Sequence, residues 1–207
     1  MKIIEPKVEL IMPPSKDDIL KKLEICGRVC YKSEDKISDG SAEKFIKSII
    51  KRGHEAVIEH VSLTIKFICD RGVTHEIVRH RLASYCQEST RYCNYSQDKF
   101  DNEITVIRPC YLEKNKIPYD HWYESCKEAE EQYFNMLAAE YTPQEARAVL
   151  PNSLKTELIM TANLREWRHF FKLRCAPAAH PQMRQVAIMA LHECQNLIPL
   201  VFEDISY

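Results

Sequence analysis

Val61-Ser62-Leu63-Thr64-Ile65-Lys66-Phe67 sets four apolar side chains in strict alternation with three polar ones. Alternation of period two puts one set on each face of an extended chain, so this stretch is a half-buried strand. The longer patterns around it are helical. Upstream, Ser15 is placed to cap a helix from about Lys16 to Cys30, with Ile19, Leu20, Leu23 and Cys26 on one face. Ser41 caps a second helix whose stripe is Phe45, Ile46, Ile49 and Ile50, with Gly53 at its C′ position. Residues 2–12 read as an opening strand. A strand set among helices of this kind predicts an α+β fold, one domain over 1–207, with a mixed sheet flanked by helices.

Downstream of the strand, Thr74 is placed to cap a short helix that carries Ile77, Val78 and the triplet Arg79-His80-Arg81. From Ala83 to Phe100 no period holds, which predicts a long loop, and loops of that length are usually functional. Ile104 to Ile107 is a short strand, and Asp120 to about Tyr141 a charged amphipathic helix. Thr142-Pro143-Gln144-Glu145 is a strong helix start, with cap, proline at the first position and acid at the third. Lys155 to Ala162 reads as a strand. Asn163-Leu164-Arg165-Glu166 caps a helix to about Arg174, and His180-Pro181 opens a last one to about Asn196.

Composition narrows the chemistry. The 207 residues are 45% hydrophobic and 29% charged, with a formal net charge of -1, so nothing advertises a nucleic-acid binder, and an anion site must come from local clustering. The four glycines, Gly27, Gly40, Gly53 and Gly72, lie far apart, which excludes a GxGxxG turn and a P-loop. The nine cysteines form no CxxC pair and read as free thiols in a reducing compartment. The N-terminus MKIIEPKVEL lacks a signal-peptide core and no apolar run could cross a bilayer, so the expectation is a cytoplasmic protein with no membrane partner.

The chemistry-bearing residues concentrate in Arg79–Tyr92, RHRLASYCQESTRY. Arg79, Arg81 and Arg91 offer planar, permanently charged forks that suit phosphate, and Ser84, Ser89 and Thr90 add neutral donors. Ser89 as a nucleophile needs a base beside it, for which His80 is available, and Cys86 and Cys93 are alternatives. His54-Glu55 and Glu59-His60 resemble a zinc helix. The histidines stand six apart where that motif needs four, so no metal is expected. Arg147, Asn163, Arg165 and Arg174 form a second, distant group. On residues alone three readings compete. One is a nucleotide enzyme. Another is a nucleic-acid module stacking bases on Tyr85, Tyr92 and Tyr95 beside the arginines. The third is a metal-dependent hydrolase using His54, Glu55, His60 and His80.

The same segment resembles the signature RHRxxSxNxxSxR of the flavin-dependent thymidylate synthases. Arg79, His80, Arg81, Ser84, Ser89 and Arg91 match, and Cys86 stands where the motif has asparagine. The likeness extends to GHEAVIEH at Gly53–His60, to EARAVLP, and to the run from Asn163 through Arg165 to Leu173-Arg174. It implies conversion of dUMP to dTMP with methylenetetrahydrofolate as carbon donor, FAD as redox cofactor and NADPH as reductant. It also implies a homotetramer with active sites between subunits and a fold described as α/β without a Rossmann unit, while the near-neutral charge leads us to expect no nucleic-acid partner. By position, Arg79, His80, Arg81, Asn163, Arg165 and His169 would contact FAD, with His54 near the ring. Ser89, Thr90 and Arg91 would hold the dUMP phosphate with Arg147, and Arg79 would also border the nucleotide. Gln87, where many relatives carry glutamate, would lie between the two ligands, and Glu76 at the edge of the nucleotide site. Arg174 would face the uracil and stabilise charge as N3 ionises, which makes it the catalytic residue; Ser89 then binds and does not attack.

Overall fold

Leu63, Ile65 and Phe67 are buried, Thr64 and Lys66 half-buried and Ser62 exposed, so the alternation does form a strand, β3, running Ser62–Asp70. The computed structural model describes residues 1–207. The other strands are β1 (Lys2–Ile4), β2 (Lys7–Leu10), β4 (Ala83–Gln87), β5 (Thr105–Ile107) and β6 (Lys155–Asn163). The helices are α1 (Lys16–Val29), α2 (Ser41–Lys51), α3 (Arg71–Ile77), α4 (Ile117–Ala138), α5 (Pro143–Ala146), α6 (Leu164–Arg174), α7 (Pro181–Leu197) and α8 (Pro199–Phe202). The fold is α+β.

Two sheets form where the sequence suggested one. Residues 2–12 are not a single strand, because Pro6 has no N–H to give to a ladder. The chain breaks there, and β1 and β2 enter different sheets. β1 pairs in parallel with β5, Ile3 opposite Val106. The second sheet has the order β2-β3-β6-β4.

The chain packs as two compact units. One comprises Met1–Lys7, Phe67–Arg79 and Cys86–Leu158; the other comprises Val8–Lys66, His80–Tyr85 and Ile159–Tyr207. In the first, Tyr95, Ile104, Val106, Cys126, Tyr133, Ala146 and Leu154 form the core. In the second, the fully buried rings of Trp167, Phe170 and Phe171 on α6 pack on one another, Phe171 meets Phe202 of α8, and α6 packs against α7. Trp167 Nε1 donates to Leu63 O over 3.1 Å, which locks α6 onto β3 and satisfies the indole donor in the core. Arg168, 3% exposed, donates to Glu55, Asp204 and Val201 O, and so ties the C-terminal turn to the segment before β3.

Four local expectations need correction. Gly40, at φ 71, takes the cap position of α2; Ser41 is its first residue, and its hydroxyl donates to Glu24 over 2.8 Å. Asp70, not Thr74, caps α3, its Oδ1 accepting from Val73 N at 2.7 Å. Thr74 sits inside the helix and donates to Arg71 O. The helix therefore ends before the Arg79-His80-Arg81 triplet, which occupies the turn after it. The expected loop from Ala83 begins instead with β4, at the edge of the second sheet. The start at Thr142 has its full capping box, but only one helical turn follows, then a 3-10 turn at Arg147–Val149.

Candidate active site

In the first unit, the chain after β4 folds back on itself at Ser89, whose Oγ accepts from Arg91 N at 3.3 Å and whose carbonyl accepts from Tyr92 N and Cys93 N. This tight turn leaves Arg91 exposed and Thr90 buried. Arg147, brought in by the 3-10 turn after α5, donates through Nη1 to Thr90 Oγ1 at 3.3 Å. The turn thus sets the Arg147 guanidinium on the Thr90 hydroxyl, next in sequence to Ser89 and to Arg91, whose own guanidinium lies 5.4 Å over the Tyr92 ring; these residue types suit a phosphate. Gln87, half-buried at the end of β4, donates to Thr74 Oγ1 at 3.0 Å and to Thr156 Oγ1 at 3.4 Å. Because the Thr74 hydroxyl is spent on Arg71 O, it offers Gln87 a lone pair. An amide can meet that; a carboxylate cannot. Glu76 is half-buried on α3, and Arg79, exposed, ends the Phe67–Arg79 segment of this unit.

In the second unit, Glu55, Glu59, Leu82, Asn163, Arg165, Glu166, His169 and Lys172 line a cleft of about 850 Å³, a volume within the range of roughly 300–1,000 Å³ usual for small-molecule sites. Asn163 caps α6, its side chain accepting from Glu166 N at 2.9 Å. Arg165 is exposed and paired with Glu59 at 2.5 Å and Glu55 at 3.8 Å. His169 is exposed one helical turn on. Arg81 is exposed in the turn before β4. His54 lies at the head of the 3-10 turn Glu55–His60 and its Nδ1 is 2.9 Å from the Tyr31 hydroxyl. Two 3-10 turns rise about 12 Å, so His54 and His60 stand at opposite ends of this segment.

His80 is the buried member of the triplet, 5% exposed. Its Nδ1 lies 3.1 Å from Glu166 Oε1, its Nε2 accepts from Arg174 Nε at 3.1 Å, and its ring sits edge-on to Phe170 and His169. Burial pushes its pKa below the ordinary histidine value, Glu166 opposes that shift, and the Arg174 charge adds to it. His80, Glu166 and His169 lie close enough to offer three ligand atoms to an ion. Both His80 ring nitrogens are already engaged, however, so a metal would have to break one of those bonds.

The stacking reading fails on Tyr95, which is 4% exposed and packed against Tyr133 and Phe100. Tyr85 is likewise occupied, its hydroxyl donating to His80 O at 2.5 Å. Glu166 is the residue sequence reasoning missed. An acid three places after an N-cap reads as half of a capping box, yet its side chain turns inward to His80.

The family model for thymidylate synthase complementing protein, Thy1, matches residues 15–200. The chain belongs to the flavin-dependent thymidylate synthase family. Two relatives bearing that name illustrate the distance. The Pyrococcus furiosus enzyme is 35% identical over 168 residues, covering 81% of this chain and 68% of its own. The Geobacter sulfurreducens enzyme is 33% identical over 188 residues, covering 87% and 79%. Among solved structures, that of a UMP/dUMP methylase, PolB from Streptomyces cacaoi, bound with 5-Br dUMP, superposes with a TM-score of 0.77 at 25% identity, over 98% of this chain and 96% of that one. The flavin-dependent thymidylate synthases are methyltransferases, and this chain is an enzyme of that kind. No helix is long and apolar enough to cross a membrane.

Proposed function

We propose that this enzyme converts dUMP to dTMP, taking the carbon from methylenetetrahydrofolate and reducing equivalents from NADPH through FAD, as a cytoplasmic homotetramer with active sites between subunits. One observation carries the reading: the likeness, over nearly the whole chain, to a methylase solved with a dUMP analogue bound. The residue groups agree with it. Ser89, Thr90, Arg91 and Arg147 supply the charged and neutral donors a nucleotide phosphate needs, with Arg79, Glu76 and Gln87 at its margin. On this reading Arg79, His80, Arg81, Asn163, Arg165 and His169 would contact FAD, with His54 near the ring. The cleft along α6 fits a cofactor by size, and Arg165 and Lys172, paired there with Glu55 and Glu59, are its cations.

FAD supplies the redox chemistry when bound. The chain's own contribution is binding and electrostatics. Arg174, at the last position of α6, holds a fixed positive charge toward the uracil, where it lowers the cost of negative charge developing on ionisation of N3. Ser89 accepts from Arg91 N and serves to bind.

The test is spectroscopic and kinetic. Purified protein offered FAD shows the visible bands of bound flavin and oxidises NADPH in a dUMP-dependent manner. A protein that stays colourless after exposure to FAD refutes the reading.

A further inference from the structure

We propose that Glu166 and His80 are positioning residues, a buried relay in which Glu166 fixes the tautomer of His80 and His80 in turn fixes the guanidinium of Arg174. The inference rests on the reading of Arg174 as the group that faces the uracil. Its geometry stands independently of that reading.

An arginine Nε–H can only donate. With Arg174 Nε 3.1 Å from His80 Nε2, that ring nitrogen must carry a lone pair. The proton of a neutral imidazole then sits on Nδ1, and Nδ1–H donates to Glu166 Oε1 at 3.1 Å. Each bond demands the next. Glu166 is 7% exposed and His80 5%, so neither has a purely solvent-facing reason to adopt this arrangement. Glu166 could have returned to the N-cap of α6, as an acid at that position commonly does; Asn163 caps the helix without it. The benefit falls on Arg174, a long side chain at a helix end. An arginine loses about 2 kcal/mol of rotamer freedom when held, and a dedicated acceptor on its Nε selects one orientation before substrate arrives.

Protonation of His80 converts Nε2 into a donor facing Arg174 and places two cations in contact. The groups facing His80 are Glu166, His169 and Arg174 from α6 and Tyr85 from β4, whose hydroxyl is engaged by the His80 carbonyl. Burial and Arg174 oppose protonation while Glu166 favours it, and the balance lies below the ordinary histidine value. The relay therefore holds through neutral pH and fails on the acid side.

Three measurements test this. Nitrogen NMR of histidine-labelled protein without substrate should place the His80 proton on Nδ1, and an Nε2–H signal at neutral pH overturns the relay outright. His80→Leu and Glu166→Gln should lower kcat on the order of tenfold to a hundredfold, the scale of a lost charge-assisted hydrogen bond, while the KM for dUMP changes little and Glu166→Gln, whose altered side chain touches no ligand, keeps its flavin. His80→Gln, which keeps an acceptor near Nε2 but does not titrate, should recover part of the His80→Leu loss and should lack the acid limb of the kcat profile. Equal losses in the two His80 variants with the acid limb intact would contradict the proposal, and so would loss of flavin from Glu166→Gln, which would assign the pair to cofactor binding. Wild-type protein that forms no dTMP refutes the functional reading instead, and the NMR result still decides the relay.

Discussion

Arg147 Nη1 donates to Thr90 Oγ1 across 3.3 Å, joining positions 57 residues apart. Neither residue declares this partner in the sequence. Thr90 sits in a segment dense with polar side chains, and Arg147 follows a helix start with no apolar duty of its own. Their contact adds a guanidinium from a distant part of the chain to a short arginine-serine motif. Arg91→Ala and Arg147→Ala should each raise the KM for dUMP on the order of tenfold to a hundredfold, the scale of one lost hydrogen bond to a charged group. Bound flavin should be unchanged. Titration of dUMP against flavin content in each variant separates this from a general loss of structure.

Arg174 makes a different prediction. Arg174→Ala should keep its flavin and lose dTMP formation, with a fall in kcat on the order of a hundredfold to a thousandfold, as for removal of one preorganised charge stabiliser. Single-turnover product analysis measures it. Unchanged turnover would refute the role assigned to Arg174.

Gly27 tests the packing of α1 in the second unit. A Cβ there would come within 2.5 Å of Phe45 Cε1 and 3.2 Å of Val57 Cγ1. Gly27→Ala should therefore destabilise the protein by about 1–3 kcal/mol, the usual cost of overpacking, despite alanine's better helix propensity. The midpoint of urea unfolding reads this out, and a gain in stability would mean that the Phe45 ring yields freely.

The Arg168–Asp204 pair predicts an acid-dependent stability. Hydrogen bonds from Arg168 hold the Asp204 carboxyl below its ordinary value of 3.8. A carboxyl lowered by folding contributes fully above its unfolded value, and that contribution is lost as pH falls through the lower folded value. Below pH 3.8 the wild type should thus lose part of its advantage over Asp204→Asn. Thermal unfolding of both proteins at neutral pH and across this acid range should show the difference in Tm shrinking on acidification; a constant difference would contradict it.

Much of the fold is legible because it depends on local periodicity and capping. The strand at Val61–Phe67, the cap at Ser15, the box at Thr142 and Glu145, and the cap at Asn163 all follow from residues within a few positions of one another. β4 was hidden for a physical reason. Its inward residues are Ala83, Tyr85 and Gln87, half-buried and partly polar, so the period of two carries little hydropathy contrast. Asp70 was hidden because it ends one element and caps the next, and a strand that runs directly into a helix leaves no turn residues to mark the junction. The site divides in the same way. Arg79, His80, Arg81, Ser89 and Arg91 announce themselves by type and spacing. Glu166 does not, because its local context offers a sufficient structural role and its actual partner lies 86 residues away.

The most direct measurement of the central claim is the mass of the nucleotide after turnover. Protein reconstituted with FAD and supplied with NADPH, dUMP and methylenetetrahydrofolate labelled with ¹³C at the transferred carbon should yield dTMP whose new methyl carries the label. Recovery of unaltered dUMP from protein with flavin bound would contradict the account.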